Sequence, residues 1–228
     1  MAGDRVPWMD PVVLCQRVLQ FRQLHHADDI PVPIERIVEV DFGLHIVPVT
    51  DLRSLAGTRG YLTSDCSTIM VDRYFYDHDE HTYRYTLAHE LSHIELHRDL
   101  WSALNITSTD EYLEAMESLL SEAEYDHLEW QANNFAGRVL VPEKHLRSQF
   151  SPHVGWACDR VQRGVPSNAD RQALYDIALQ TIADRLTPVF GVHRLPLGIR
   201  IAEEGLGAEL ARRLPGGGEG VNLRYRDR

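Results

Sequence analysis

Cysteine is scarce. Cys15, Cys66 and Cys158 are the three in 228 residues, with no CxxC, an odd and scattered set that excludes a disulfide framework or a zinc ribbon. Long apolar runs are missing too: although 43% of the residues are hydrophobic, no stretch nears the roughly 18 residues of a membrane helix. Positive charge is the third shortage. Lys and Arg number 23 against 34 Asp and Glu, a formal net charge of −11, which argues against a general nucleic-acid or anionic-membrane binder because such a surface must be basic to displace counterions. The opening Met-Ala-Gly-Asp-Arg-Val-Pro-Trp-Met-Asp carries acids and a proline where a secretion signal has a basic start and an unbroken apolar stretch. A reducing cytoplasm is the expected compartment. At 26.1 kDa the chain can bury a core without structural staples, so a metal site here is expected to serve function.

The residue pattern predicts α+β architecture, strands first and helices afterwards. Residues 10–25 place Val13, Val18, Leu19 and Arg22 at helical spacings, and a second short helix is expected over Ile34 to Val40, ending near Gly43. Strands are expected at 45–49, 58–63 and 67–72, with Ser64, Asp65 and Cys66 between the last two. This is a small antiparallel or mixed sheet. From Thr82 to His97 there is no glycine or proline, and Leu87, Leu91 and Ile94 mark the buried stripe of a helix. Ser108 and Glu111 match a capping box that opens a helical block running to Val141-Pro142. After a polar loop at Pro166 to Asn168, a helix from about Arg171 to Val189, a Phe-Gly-Val-His turn and a short helix to about Glu204 resemble a helix-turn-helix. One domain over residues 1–205 is expected, with residues 171–205 as a helical subdomain and 206–228, including PGGGEG, as a flexible tail.

Chemistry concentrates in the Thr82 to His97 helix. His89-Glu90-Leu91-Ser92-His93 is an HExxH pattern, and residues four apart on a helix stack on one face, so two imidazoles reach a single metal while Glu90 borders the same pocket. A carboxylate there can act as a general base toward water. A catalytic zinc site has three protein ligands and an open fourth position, so a third ligand is needed. Asp99 stands where a metzincin carries its third histidine, but position 95 is Glu95 and not the required glycine, and that geometry is rejected. His97, one more helical step on, climbs about 6 Å further and drifts round the helix, and it fits a supporting or structural role better. Glu129 is the better third ligand. Its helical neighbours Ala132, Asn133 and Ala136 are small, so its face can approach the His89 helix closely, and a carboxylate there needs a partner. A metal is one partner, Arg84 or Arg138 the alternative, and Glu122 is the runner-up ligand.

Two blocks carry a family resemblance. YTLAHELSHIELH at residues 85–97 and EWQANNFAGRVLVP at 129–142 resemble the ImmA/IrrE metallopeptidases, a gluzincin-like group, with weaker similarity over about residues 12–205. Ser92 stands where the family usually has glycine, and Gly137 and Val141 soften the second block. The resemblance implies a helical zincin-like catalytic core, zinc (manganese as the alternative) held by His89, His93 and Glu129, Glu90 as general base, and the 67–72 strand aligning the substrate as an added strand. Tyr83, Tyr85, His127 and His145 are candidates by type for steadying the oxyanion, with Tyr85 at the family's aromatic core position, and Asn133 and His97 join Tyr83 and His127 as candidates to support the site. The implied activity is site-specific cleavage of a helix-turn-helix repressor that relieves repression of stress, mobile-element or defence genes. Two other readings stand beside it: a repressor-binding, toxin-antitoxin-like partner that cuts nothing, and a direct DNA-binding regulator. The second helix of the 171–205 pair contains Pro196 and only Arg194 and Arg200 as basic residues, a weak DNA reader, so direct nucleic-acid binding is the lesser expectation, with nucleic acid as an activating signal its other form. No membrane partner is expected. Cys66 is a candidate zinc ligand that would keep the enzyme latent.

Overall fold

The computed structural model describes residues 5–118, 120–164, 170–214 and 221–223. Where sequence suggests one domain over 1–205, contacts divide the chain into two compact units, Met1–Leu140 and Val141–Arg228.

In the first unit, α1 (Pro11–Leu24) starts where the Asp10 side chain accepts from the Val12 amide, with Pro11 at the first helical position, where its missing N–H costs nothing. Its buried face is Leu14, Val18, Phe21 and Arg22; of the residues expected there, Val13 and Leu19 point outward. The short α2 (Ile34–Arg36) runs into a π-helical turn, Ile37–Asp41. The sheet is mixed, in the order β1-β3-β2. β1 (His45–Val49) runs parallel to β3 (Thr68–Asp72), pairing His45 with Thr68 and Val49 with Asp72, while β2 (Gly60–Leu62) runs antiparallel, pairing Gly60 with Val71 and Leu62 with Ile69. A parallel neighbour needs a crossover, and α3 (Leu52–Ala56) lies within it. Asp72 caps α4 (Arg73–His78) by accepting from the Tyr74 amide.

The sheet is followed by helices, as the α+β reading expects. α5 (Glu80–Ser102) is capped by Asp79, whose side chain accepts from the Thr82 amide and hydroxyl at 3.1 and 2.8 Å. It buries Leu87, Leu91 and Ile94, and it breaks helical geometry at His97 (φ −132°, ψ 19°). α6 (Thr109–Ser118) follows; its capping box is skewed, for Ser108 Oγ accepts from the Glu111 amide while Glu111 reaches Thr107. A closed box sits instead at the start of α7 (Glu122–Leu140). There Glu124 accepts from the Ser121 amide at 2.9 Å and Ser121 Oγ from the Glu124 amide at 3.3 Å. α7 packs along α5 and α1 through Leu128, Ala132, Phe135, Ala136 and Val139.

The described elements of the second unit are all helices: α8 (Glu143–Gly164), α9 (Arg171–Phe190), α10 (Arg194–Glu203) and α11 (Gly207–Arg213). α9 packs on α8 and α10, burying Phe150, Val154, Tyr175, Leu179, Ile182 and Ile201. Gly191 ends α9 at φ 63°, a left-handed position natural to glycine. α9, the Gly191–His193 link and α10 form the expected helical hairpin, but Arg200, one of its two basic candidates, is buried and ion-paired with Glu203 and Glu204. α11 lies in the stretch expected to be tail, with Leu210 and Ala211 buried. The expected loop at 166–168 and the PGGGEG segment lie outside the described residues.

Candidate metal centre

α5 carries His89, Glu90 and His93, and α7 brings Glu129 to them. His89 and His93 sit one turn apart with ring centroids 5.1 Å from each other at 76°. Glu129 Oε2 lies 3.5 Å from His89 Nε2, and one ligand atom from each of His89, His93 and Glu129 falls within 4.8 Å of the other two. Tetrahedral coordination at zinc distances separates ligand atoms by about 3.3 Å, so small side-chain movements close the set on one ion. Two imidazoles and a carboxylate are also the donor chemistry of a catalytic zinc site. Arg84, a rival partner for Glu129, instead donates to the Val32 carbonyl at 2.6 Å. Glu122, the other candidate ligand, stands at the first position of α7 and does not line the cavity that these groups share.

That cavity has a volume of 390 Å³ and a mainly polar wall. Its groups bend one another's proton equilibria. Burial alone would push His89 down, but the hydrogen bond and charge of Glu129, helped by Glu90 and Asn133, hold it up at about 9. Burial first, and the Glu129 charge second, raise Glu90 to about 7 against the opposing pull of His89 and of a hydrogen bond from the Leu62 amide. His93 goes the other way: burial, then the His89 and His97 charges, lower it. The carboxylates thus favour positive charge beside them, on His89 in this structure, and a divalent cation would meet the same demand.

His93 is the most firmly held of the three candidate ligands. Its ring stacks on Trp101 at 4.2 Å and 17°, and the Trp101 indole is anchored by donating to the Leu62 carbonyl at 2.9 Å. On its other side His93 Nδ1 lies 3.2 Å from His97 Nδ1, and His97 Nε2 lies 3.0 Å from Gln131 Oε1. The break in α5 at His97 separates that ring from a simple ladder of stacked histidines, and His97 supports His93 instead of joining the ligand set.

The remaining candidates divide. Asn133 lines the cavity, donates to the Glu129 carbonyl at 2.8 Å and hydrogen-bonds His89. Tyr85 lines it too, its hydroxyl donating to Asn133 at 3.2 Å, so it is a cavity residue and not a core one. Tyr83 does not reach the cavity, because its hydroxyl donates to Glu35 at 3.0 Å. His127 packs edge-on against Trp8 at 5.6 Å, and His145 belongs to α8 of the second unit. Cys66 sits at the β2–β3 turn with φ 53° and its Sγ 3.8 Å from the Ser64 carbonyl, outside the cavity wall. The 67–72 strand cannot accept an added strand: β3 is central, both edges paired, and β2 is the strand at the cavity.

Among the wall residues that sequence reasoning missed are Arg53, Arg59, Trp101, Tyr112 and Tyr125. Tyr125 had a readable signal, since it stands one helical turn before Glu129 and shares its face. Burial, then the charges of Glu129 and Glu90, raise its phenol, which keeps it a hydrogen-bond donor. Gln131 was also missed, because nothing local distinguishes it from the apolar stripe around it.

The family model described as the IrrE N-terminal-like domain, Peptidase_M78, matches residues 67–186, just over half of the chain. The match takes in all of α5 and α7. No curated protein matches the chain.

Proposed function

Because the chain belongs to the IrrE N-terminal-like peptidase family, Peptidase_M78, we propose that it is a zinc-dependent endopeptidase that cuts a helix-turn-helix repressor at one site and so relieves repression of stress, mobile-element or defence genes. The observation that carries this reading is the convergence of His89, His93 and Glu129 within 4.8 Å beside a buried Glu90 raised to about 7. A zinc ion held by those three, or manganese in its place, supplies Lewis acidity toward water and a peptide carbonyl.

The protein's own groups do the rest. Glu90 is the buried carboxylate next to the three converging side chains; it takes the proton from water and passes it to the departing amine. Tyr125, a protonated phenol facing the two carboxylates, donates to the oxyanion as the carbonyl becomes tetrahedral. Thr58 holds the outer edge of β2, its hydroxyl donating to the Gly60 carbonyl at 2.7 Å, and an extended substrate that pairs there displaces it. The net charge of −11 suits the docking of a basic DNA-binding substrate. Three free thiols fit the cytoplasm, and among the described residues no helix is long and apolar enough to cross a membrane.

Direct operator binding is the weaker alternative, since Arg200 is buried among acids. A repressor-binding partner that cuts nothing has no need for a buried Glu90 carboxylate beside His89, His93 and Glu129. The test is to mix the zinc-loaded protein with the helix-turn-helix repressor encoded nearest its gene, with Glu90→Gln in parallel. A discrete fragment from the parent and none from the variant is expected; intact repressor in both sinks the substrate assignment.

A further inference from the structure

We propose that Gln131 is a positioning residue for the metal centre: aimed by the Pro7 carbonyl, it sets the tautomer of His97 and through it that of His93, leaving His93 Nε2 bare toward the ion. The proposal rests on the metal-centre reading above and adds to it a chain of directed hydrogen bonds that begins outside the cavity.

The direction of each bond follows from what each atom can do. Gln131 Nε2 lies 2.9 Å from the Pro7 carbonyl, which can only accept, so the amide nitrogen faces Pro7 and Oε1 faces His97. Oε1 can only accept as well, and His97 Nε2 is 3.0 Å away, so that nitrogen carries the proton. A neutral imidazole has one ring proton, which leaves His97 Nδ1 as a bare lone pair, 3.2 Å from His93 Nδ1. His93 must then donate from Nδ1. Its Nε2 is the nitrogen left without a proton, and only a deprotonated nitrogen binds metal. Burial protects the arrangement, since His93, His97 and Gln131 are 1%, 7% and 1% exposed, so water is poorly placed to offer an alternative partner.

The far end of the chain is held by several contacts. Trp8 stacks on Trp130 at 4.7 Å and meets His127 edge-on, and the Arg5 amide donates to Glu124 at 2.9 Å. The segment from Arg5 to Trp8 is thus fastened along α7, the helix that also presents Glu129. His89 has a different arrangement, with Glu129 and Asn133 as partners. Gln131 therefore acts on one ligand and not on the other.

The experiment uses the full chain. In the metal-free protein, 1H–15N spectra of the histidine rings are expected to show His93 protonated on Nδ1 and His97 on Nε2. Gln131→Leu is expected to spread His93 between both tautomers and to weaken zinc binding, read by competition with a chromophoric chelator, roughly 10- to 100-fold, the usual loss when an outer partner of a metal ligand is removed. A parent His93 that carries its proton on Nε2, or on both nitrogens, overturns the proposal, and so does unchanged zinc affinity in a folded Gln131→Leu. If the parent shows the expected tautomers but takes up no zinc, the hydrogen-bond chain stands and the metal reading falls. The parent spectra decide even if Gln131→Leu fails to fold.

Discussion

Two cavities invite comparison, one in each unit. The larger, 580 Å³, is bordered in the second unit by Trp156, Arg160, Ile177 and Thr181, with the Arg185 guanidinium 4.0 Å over the Trp156 ring. The smaller, 390 Å³, holds His89, Glu90, His93 and Glu129. Volume records only where side chains fail to fill space. Chemistry needs donors that converge and that alter one another's affinity for protons, and among the described residues the one group with metal-binding convergence lies in the smaller cavity. At the larger one Arg160 and the neighbouring Arg185 lie over the Trp156 ring, a cation–π arrangement that brings no metal-binding donors together.

The contrast can be broken or sharpened by substitution. The largest effect is expected from Glu90→Gln, which keeps an acceptor for the Leu62 amide but loses the base: peptidase turnover falls roughly 10²- to 10⁴-fold while metal content, read by elemental analysis, stays at the parental level. Retained turnover would move the base elsewhere. Glu129→Ala should weaken zinc binding by more than about 100-fold in a chelator competition, beyond what loss of an outer partner costs; an unaffected affinity would remove Glu129 from the ligand set. Gly60→Ala tests the packing of β2 on α5, because a Cβ there would lie 2.5 Å from Thr86 Cγ2 and 2.8 Å from the Met70 carbonyl. A loss of about 1–3 kcal/mol in a denaturant titration is expected from such overpacking. The smallest effect belongs to the larger cavity: Arg185→Ala removes a cation–π contact worth about 0.5–1 kcal/mol and should leave turnover unchanged. A loss of activity there would show that the second unit takes part in catalysis.

How much of this was legible depends on how local each cause is. His89, Glu90 and His93 could be read because helical pitch alone puts them together, and the helix around them has no glycine or proline. Glu129 comes from a distant segment, yet the small residues at 132 and 136 advertised a close approach. Tyr112 had no such signature. Its place at the cavity depends on stacking against Tyr61 at 5.0 Å, a contact between a strand and a helix some fifty residues later. The short helices α3 and α4 were missed because a single turn lacks the periodicity that reveals a helix, and isolated helices of that length do not persist without tertiary support. The central position of β3 was hidden for a different reason: strand order depends on crossover topology, and a hairpin-like sequence is silent on whether an earlier strand pairs with its far side.

One residue ties the sheet to the site. Leu62 in β2 donates its amide to Glu90 and offers its carbonyl to Trp101, the ring on which His93 rests. A strand that slips by one residue turns every amide and side chain to the opposite face. A β2 displaced by a single position against β3 would therefore withdraw the hydrogen bond from the base and the anchor from the ligand's platform together, while leaving the helices intact. Such a molecule would pass for folded by its helical content, so the register of a three-residue edge strand decides whether Glu90 and His93 keep their supports.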